Sequence, residues 1–293
     1  MISFLPLLIK GRGLLRVEGA LKYFMVQALA GQLYIVGALF TLGGTASGVT
    51  SLRCIVVIAL SIKLGAAPFH FWYPRVAQSL RWEDNFILGV VQKLAPLYLV
   101  FVGGGGHSFF IFLLVVSSCL VGGVGGLNQS QLRKIMAFSS INHMAWVLRA
   151  IWGGGTLWLK YYVVYGYIRG AIIYLFWQRG LFRVGHLYGG PVGPGSTGGI
   201  ALSLLSLGGL PPFLGFIPKW VVLSGLLGVE AFLLSLTLVI STLISLYFYV
   251  RILWGPMMVG ASISSGGLLP LGGCRGWPLF NRVGLGLVSL VFI

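Results

Sequence analysis

Charged residues are scarce in this sequence, and acidic residues are the scarcest. Only 8% of the 293 residues are charged, and 20 Lys and Arg stand against 4 Asp and Glu. A soluble globular domain carries roughly 25% charged residues. A chain with 57% hydrophobic residues and so little charge cannot solvate its own surface. The composition therefore excludes a soluble domain and predicts an all-α polytopic membrane protein.

Cysteine is rare as well, and no targeting segment is visible. Cys54, Cys119 and Cys274 are far apart, and none forms a CxxC pair or another metal-ligand spacing. We interpret them as small apolar side chains and expect no metal site.

The sequence has no secretory signal with a basic start and a small-residue cleavage site. A protein synthesised inside mitochondria needs no presequence, so a mitochondrial location stays open.

Long apolar segments fill most of the chain. A helix needs about 20 apolar residues to span a bilayer, and segments of this kind lie near 19–42, 50–72, 84–102, 108–127, 131–151, 156–179, 200–224 and 228–254. Two partial segments lie near 1–10 and 278–293. The sequence thus predicts about nine to ten transmembrane segments in a single membrane domain covering residues 1–293.

Basic residues in alternate loops account for most of the net charge of +16. The loops near 43–49 and 103–107 carry none, whereas the basic loops contain Lys10, Arg12, Arg16, Arg75, Arg81, Arg133, Lys134, Arg179, Arg183, Arg251 and Arg275. This alternation follows the positive-inside rule and places the basic loops on the matrix or cytoplasmic side. Arg149 and Lys160 flank one loop that departs from the pattern. No basic face with interleaved aromatic residues is present, so no nucleic acid is expected as a partner.

Three lysines lie inside apolar segments, where an ionisable side chain costs roughly 3 kcal/mol or more. They are Lys63, Lys93 and Lys219, and each has a proline within five residues. Burial favours the neutral form of an amine, so such lysines can take up and release protons. A role in packing alone is the alternative interpretation.

Two of these segments cannot be continuous helices. Pro68 removes the hydrogen bond to the carbonyl four residues earlier, just after Lys63. Around Lys219, Gly208 and Gly209 are followed by Pro211, Pro212 and Pro218. Irregular backbone at membrane depth is tolerated only where protein or a water-filled cavity satisfies it. Interrupted segments in both halves of the chain predict antiporter-like inverted repeats with two discontinuous helices and a site near the midplane.

Other polar residues give weaker indications of a functional role. Arg169 lies in mid-segment and stays protonated, so we expect it to face a partner or the bundle interior rather than to carry protons. His70 and His143 are candidates for a hydrated path, although either could simply be hydrogen-bonded. The remaining acids are expected in a solvated loop, for Glu83 and Asp84, and at a helix start, for Glu230.

Four motifs resemble a known family. They are the stretches at 63–72, 92–96, 126–136 and 209–220, which read KLGAAPFHFW, QKLAP, GLNQSQLRKIM and GLPPFLGFIPKW. In this order they resemble mitochondrial NADH dehydrogenase subunit 2, an antiporter-like membrane subunit of respiratory complex I. The resemblance covers residues 1 to about 254, and the rest of the chain matches only in hydrophobicity.

The resemblance implies a proton relay in the inner mitochondrial membrane. It assigns Lys63 to the first broken helix, Lys93 to the middle of the relay and Lys219 to the second broken helix. It also implies that the chain itself binds none of the cofactors that the complex uses, namely NADH, FMN, iron-sulfur clusters and ubiquinone. The expected partners are the other membrane-arm subunits and lipids.

The sequence departs from the family pattern at two places. The family usually pairs the first lysine with a glutamate on an early helix, and here that position falls just before Met1. Glu18 corresponds to a different position of the family pattern and does not stand in for this glutamate. We therefore expect that the natural protein has more N-terminal helix than this sequence. Arg75 stands where the family often has glutamate, which puts an acidic role there in doubt.

Two other functions stay open at this point. A stand-alone cation/proton antiporter subunit would share the lysines in broken helices, and only association with NADH oxidation would separate the two. A non-pumping structural subunit is the second alternative, because the acidic partner of Lys63 is missing from the sequence.

Overall fold

The computed structural model describes residues 14–43, 49–103, 108–189, 194–225 and 232–264. Within these ranges the chain forms helices, turns and one isolated bridge, so the predicted all-α class is confirmed. Several predictions lie outside the described residues: the segments near 1–10 and 278–293, Cys274, Arg275 and Glu230.

Twelve helices follow one another in the described part of the chain. They are α1 (Leu14–Gly43), α2 (Val49–Leu64), α3 (Trp72–Ser79), α4 (Trp82–Phe86), α5 (Gln92–Gly103), α6 (Ser108–Gly125), α7 (Leu132–Trp152), α8 (Leu157–Gln178), α9 (Gly185–Gly189), α10 (Pro194–Gly208), α11 (Phe216–Ser224) and α12 (Phe232–Ser264). A π-helical turn, Ile87–Val91, joins α4 to α5. Each of the eight apolar segments falls on a helix or on a pair of short helices. By length and composition, three helical stretches of the described residues could cross a membrane, at 14–41, 82–103 and 232–254.

The two discontinuous helices are present where the sequence predicts them. The first is α2 followed by α3, with a turn at residues 65–71 between them. The second is α10 followed by α11, with a turn at residues 209–215. Gly65 and Gly209 begin the turns with φ values of +66° and +80°. Side chains are disfavoured in this left-handed region, which explains a glycine at the start of each break.

The proline near Lys93 does not break its helix, so Lys93, unlike Lys63 and Lys219, does not lie at a break. Pro96 lies inside α5, and the helix continues to Gly103. The ring of a proline clashes with the carbonyl four residues earlier, here that of Gln92, the residue at which the π-helical turn ends. The wider π-helical geometry next to this carbonyl accommodates the proline, as local adjustments do in membrane helices.

The prediction of a solvated loop is wrong for Asp84, whereas Glu83 is exposed as predicted, although it lies in a helix. Both residues belong to the first turn of α4, and the Asp84 residue is only 9% exposed. Acidic side chains are favoured near a helix N-terminus, where the backbone N–H groups are unpaired. The short helix also places Asn85, which is fully buried, among the polar residues of the interior.

Small residues let α6 and α7 approach closely at the centre of the bundle. A Cβ atom on Gly122 would lie 2.6 Å from the backbone nitrogen of Asn142 and 2.8 Å from its Cα atom. Asn142 in turn joins α7 to α12, because its Nδ2 donates to the carbonyl of Ser241 at 3.4 Å and its Oδ1 accepts from the Ser241 hydroxyl at 3.1 Å. Close approach of this kind is how small residues hold membrane helices together.

Basic residues from separate loops meet at one end of the bundle. Lys22, Arg75, Arg133, Lys134 and Arg183 line a common cavity there. Arg75, Arg133, Lys134 and Arg183 belong to three of the predicted basic loops, whereas Lys22 lies within α1. Arg149 lies in the last turn of α7, at the opposite end of the helix that begins next to Arg133.

Replacing Gly122 tests the close approach of α6 and α7. We expect Gly122→Ala to destabilise the folded protein by about 1–3 kcal/mol, because overpacking of this size costs that much. The control is Gly31→Ala, since a Cβ on Gly31 meets nothing within 4 Å. Thermal unfolding of the detergent-solubilised protein measures both. Equal unfolding temperatures for the two variants would contradict the packing described here.

Candidate functional site

At the second break the amine of Lys219 binds the end of the preceding helix. Its Nζ donates to the carbonyl oxygens of Leu207 at 3.2 Å and of Gly208 at 2.8 Å, at the end of α10. The last carbonyls of a helix lack intrahelical partners and carry a partial negative charge. A Cβ on Gly209 would lie 2.8 Å from this Nζ, so glycine is needed for the amine to reach the helix end. The Lys219 residue is 6% exposed.

Lys93 lies in a second polar cluster at the centre of the bundle. Its Nζ donates to the hydroxyl of Ser140 at 2.7 Å and lies 4.1 Å from the centroid of the Tyr73 ring. The Tyr73 hydroxyl donates to the same Ser140 oxygen at 3.2 Å. Lys93 is 2% exposed, and one residue, Gln92, separates it from the π-helical turn. Such turns are frequent at functional sites.

His143 lies between these two amines. Its Nδ1 is 2.9 Å from the hydroxyl oxygen of Tyr161. His143 and Tyr161 line a small cavity of about 10 Å³ together with Leu207, whose carbonyl accepts from Lys219. A volume of about 10–15 Å³ is the least that holds one water molecule. The cavity is therefore at the lower limit of size for a single water.

One helix carries the contacts of all three groups. Ser140, His143 and Trp146 follow each other on successive turns of α7, and we call them the polar stripe. Ser140 contacts Lys93, His143 borders the cavity, and the Trp146 ring centroid is 6.0 Å from Nζ of Lys219. At 1.5 Å per residue the stripe covers about 9 Å along the helix axis. The structure thus places Lys93, His143 and Lys219 along one line of contacts with α7.

Lys63 lies away from this line. It is in the last turn of α2, and its Nζ lies 5.2 Å from the centroid of the Tyr34 ring on α1. The Lys63 residue is half-buried. Among the described residues no carboxylate forms an ion pair with it. The rings of Tyr23, Trp72 and Tyr73 form an aromatic row with centroid distances of 6.0 and 5.6 Å, and Lys93 lies against the Tyr73 end of this row.

His70 lies in the first break, beside a set of backbone bonds that replace the missing helix turn. Ala67 donates its N–H to the Ser118 hydroxyl at 3.0 Å, and its carbonyl accepts from Ser117 at 2.9 Å. The imidazole of His70 lies 4.3 Å from the ring centroid of Phe71. Its buried Nδ1 has no hydrogen-bond partner among the described residues. His70 and His143 are on different elements and are not joined by a described contact.

Arg169 is fully buried in the interior of the bundle, as predicted. The guanidinium donates only to neutral acceptors: the Tyr165 hydroxyl at 2.6 Å and, each at 3.3 Å, the Met136 carbonyl, the Tyr73 hydroxyl and Asn85 Oδ1. Its Nε is buried without a partner among the described residues. Through Tyr73 and Ser140 the guanidinium is connected to the amine of Lys93. The site thus contains a fixed positive charge beside one that can change.

The sequence analysis missed the uncharged members of this network. Tyr73, Ser140, Tyr165, Asn85 and Trp146 all contact a buried cation or lie beside one. The run of polar residues Ser139, Ser140, Asn142 and His143 inside an apolar helix was the available signal. In the described part of the chain, no group of His, Cys, Asp or Glu is arranged to hold a metal ion.

The fold and site together define an antiporter-like membrane protein, with two discontinuous helices and buried amines at or beside them. The comparison with family models agrees. The NADH:quinone oxidoreductase/Mrp antiporter transmembrane model matches residues 2–245, and the chain belongs to this family.

Individual relatives show which subunit within this family the chain is similar to. The chain is 38% identical to NADH-ubiquinone oxidoreductase chain 2 of Anopheles gambiae, over 100% of this chain and 84% of that protein. It is also 38% identical to the Aedes aegypti protein of the same name, with 90% and 79% covered, and 33% identical to that of Locusta migratoria, with 86% and 75% covered. The similarity to NADH dehydrogenase subunit 2 that the four motifs predict is confirmed.

Solved structures share the fold at lower identity. A chain of respiratory complex I from Thermus thermophilus superposes with a TM-score of 0.80 at 23% identity, covering 98% of this chain and 70% of that one. A chain of the Mrp complex from Dietzia sp. DQ12-45-1b superposes with a TM-score of 0.75 at 17% identity, covering 95% and 65%. These structures support the antiporter-like fold.

Replacing Arg169 tests the buried network. We expect Arg169→Met to destabilise the protein, because the Met136 carbonyl and the Asn85 amide oxygen would lose a donor at about 1–3 kcal/mol for each unsatisfied group. Arg179→Met is the matched control, since Arg179 follows the same helix and is exposed. Thermal unfolding in detergent measures both variants. If Arg169→Met unfolds no earlier than the control, the four hydrogen bonds do not outweigh the cost of burying the guanidinium.

Proposed function

We propose that this chain is a core membrane subunit of proton-pumping NADH:ubiquinone oxidoreductase, respiratory complex I, in the mitochondrial inner membrane. Its relatives in three insects carry the name of a subunit of that enzyme. Its partners would be the other membrane-arm subunits and the surrounding lipid. In this proposal the chain moves protons across the membrane, while quinone is reduced elsewhere in the complex.

The polar stripe of α7 is the observation that carries the proton-transfer part of the proposal. A proton can pass only between groups that both give and accept it, through hydrogen bonds or water. Lys93, Ser140, His143 and Lys219 are such groups, and each belongs to the stripe or lies beside one of its members. In this proposal a water in the small cavity beside His143 would bridge the histidine and the second break.

Within this relay the residues have different roles. Lys93 and Lys219 would each hold a proton in turn, with His143 between them. Lys63 would be the entry or exit at the other side of the aromatic row, and His70 would belong to the same side. Arg169 stays protonated and cannot pass a proton on. Its positive charge would repel the protonated amine of Lys93, to which Tyr73 and Ser140 connect it.

The redox cofactors would lie outside this chain. NADH, FMN, iron-sulfur clusters and ubiquinone belong to other parts of the proposed complex, so the chain would contribute to the enzyme without a redox site of its own. A cation/proton antiporter subunit is the second candidate, and the similarity in fold to a chain of an Mrp complex favours keeping it. A third candidate, a structural subunit that does not pump, is an outcome of the tests below.

Replacing the lysines tests the relay. We expect Lys93→Met and Lys219→Met to slow proton transfer through this chain by about 10²–10⁴-fold, the usual contribution of a positioned acid or base. NADH oxidation should continue, with fewer protons moved per NADH. The control is Lys160→Met, because Lys160 lies at the start of α8 and, unlike Lys93 and Lys219, is only half-buried. Proton uptake by coupled vesicles during NADH oxidation measures the ratio, and an unchanged ratio in Lys93→Met would support a structural role instead.

The assembly itself can be tested without a variant. We expect this chain to co-migrate with the large NADH-oxidising band when detergent-solubilised inner membranes are separated on a native gel and analysed by mass spectrometry. Its presence only in a small inactive band would favour an independent antiporter or structural protein. The N-terminal peptide from the same band identifies where the natural chain begins.

A further inference from the structure

A basic cavity of about 480 Å³ lies at the end of the bundle where the basic loops meet. We call it the basic cavity, and the relay proposed above does not involve it. Its wall comes from α1, α3, α7 and the turn before α9, which are distant in sequence. Its charged lining residues are Lys22, Arg75, Arg133, Lys134, Arg183 and Glu18.

The charge of the basic cavity is not balanced from within. Glu18 is the one acidic residue in its lining, and it is already paired with Lys22 one helical turn away. Arg75, Lys134 and Arg183 form no ion pair with a described carboxylate. Several cations that share a cavity repel one another and attract an anion. The cavity is therefore electrostatically suited to a ligand with more than one negative oxygen.

Arg133 gives the basic cavity a fixed donor. One of its terminal nitrogens donates to the Leu80 carbonyl at 2.5 Å, and its guanidinium carbon lies 5.0 Å from the centroid of the Phe182 ring. The antiparallel bridge between Gln131 and Arg183 joins the two loops beneath it. The Nε of Arg133 is buried and has no partner among the described residues. A guanidinium held in this way is ready to bind a phosphate without further ordering.

An apolar surface runs beside the basic cavity on the same helix. On α1, the residues Leu15, Glu18 and Lys22 line the cavity. Leu14, Leu21 and Met25 are 91%, 58% and 64% exposed. At 100° per residue they form a stripe about 60° further round the helix. A cationic cavity next to an exposed apolar stripe matches a ligand that has an anionic head and hydrocarbon chains.

We propose that the basic cavity binds the phosphate headgroup of an anionic phospholipid, whose acyl chains lie along the apolar stripe of α1. Lys134 and Arg75 contact the phosphate oxygens as mobile charges, and Arg133 supplies the fixed donor. The positive-inside rule places this end of the bundle at the matrix or cytoplasmic leaflet, where basic pockets between helices meet anionic headgroups. A soluble phosphate has the same head chemistry but makes no use of the stripe.

Photo-labelling of the native assembly tests the site. The detergent-extracted assembly that contains the chain is placed in phosphatidylcholine vesicles with one part in five of phosphatidylglycerol that carries a diazirine on an acyl chain. We expect labelled peptides from the region 14–29 of α1. Labelling in the double variant Arg75→Gln with Lys134→Gln should fall about 30-fold, since each basic side chain contributes about 1 kcal/mol at an anionic lipid and 1.4 kcal/mol is tenfold.

The matched control removes the same charge at the other end of α7. Arg149→Gln combined with Lys160→Gln should leave labelling of α1 unchanged, and native gels show that both double variants assemble. Equal labelling of α1 by diazirine phosphatidylcholine, or no loss in the cavity variant, would overturn the proposal. Full displacement by 10 mM inorganic phosphate would assign the cavity to a soluble anion, and carbodiimide coupling of Lys134 to a carboxylate of a neighbouring subunit would assign it to a protein. Either result rejects the lipid.

Discussion

The structure depends on one constraint, which is that polar groups inside the bundle must find partners without water and almost without acids. A buried amide or amine left unpaired costs several kcal/mol in an apolar medium. In the described part of the chain the sole ion pair, between Glu18 and Lys22, lies on the exposed side of α1. The interior cations therefore rely on backbone carbonyls, hydroxyls and aromatic faces. This explains why breaks in helices and buried cations occur together.

Different groups satisfy this constraint at the two breaks. At the second break the carbonyls at the end of α10 are satisfied by the amine of Lys219, so the lysine is part of the structure as well as of the proposed relay. At the first break Ser117 and Ser118 satisfy Ala67, and the Trp72 indole donates to the Ile62 carbonyl at 3.1 Å. Lys63 makes no comparable bond to the helix end. Its amine is accordingly the one that is half-buried and set apart from the polar stripe.

Cations in the interior and cations at the end of the bundle have different physical tasks. Arg169 is buried and keeps its positive charge. It holds Tyr73 and Tyr165 by hydrogen bonds and maintains a constant positive field beside Lys93. The residues of the basic cavity lie near a leaflet surface, where they can attract an anion from outside the chain. A chain with a net charge of +16 thus places positive charges both in the interior of the bundle and at its end.

The sequence by itself determined the class, the helical segments and the positions of the two breaks. These follow from local chemistry: apolar runs of spanning length, the missing N–H of Pro68, and the glycines and prolines near Lys219. It also determined the family, because four motifs occur in order. Whether Pro96 breaks its helix and whether Asp84 is solvated could not be read locally, since a neighbouring π-helical turn and the packing of α4 decided them. Only the tertiary structure placed Ser140, His143 and Trp146 between two amines that are 126 residues apart in sequence and formed the basic cavity from four distant segments. Contacts of that kind depend on which helices pack together, and no local pattern contains that information.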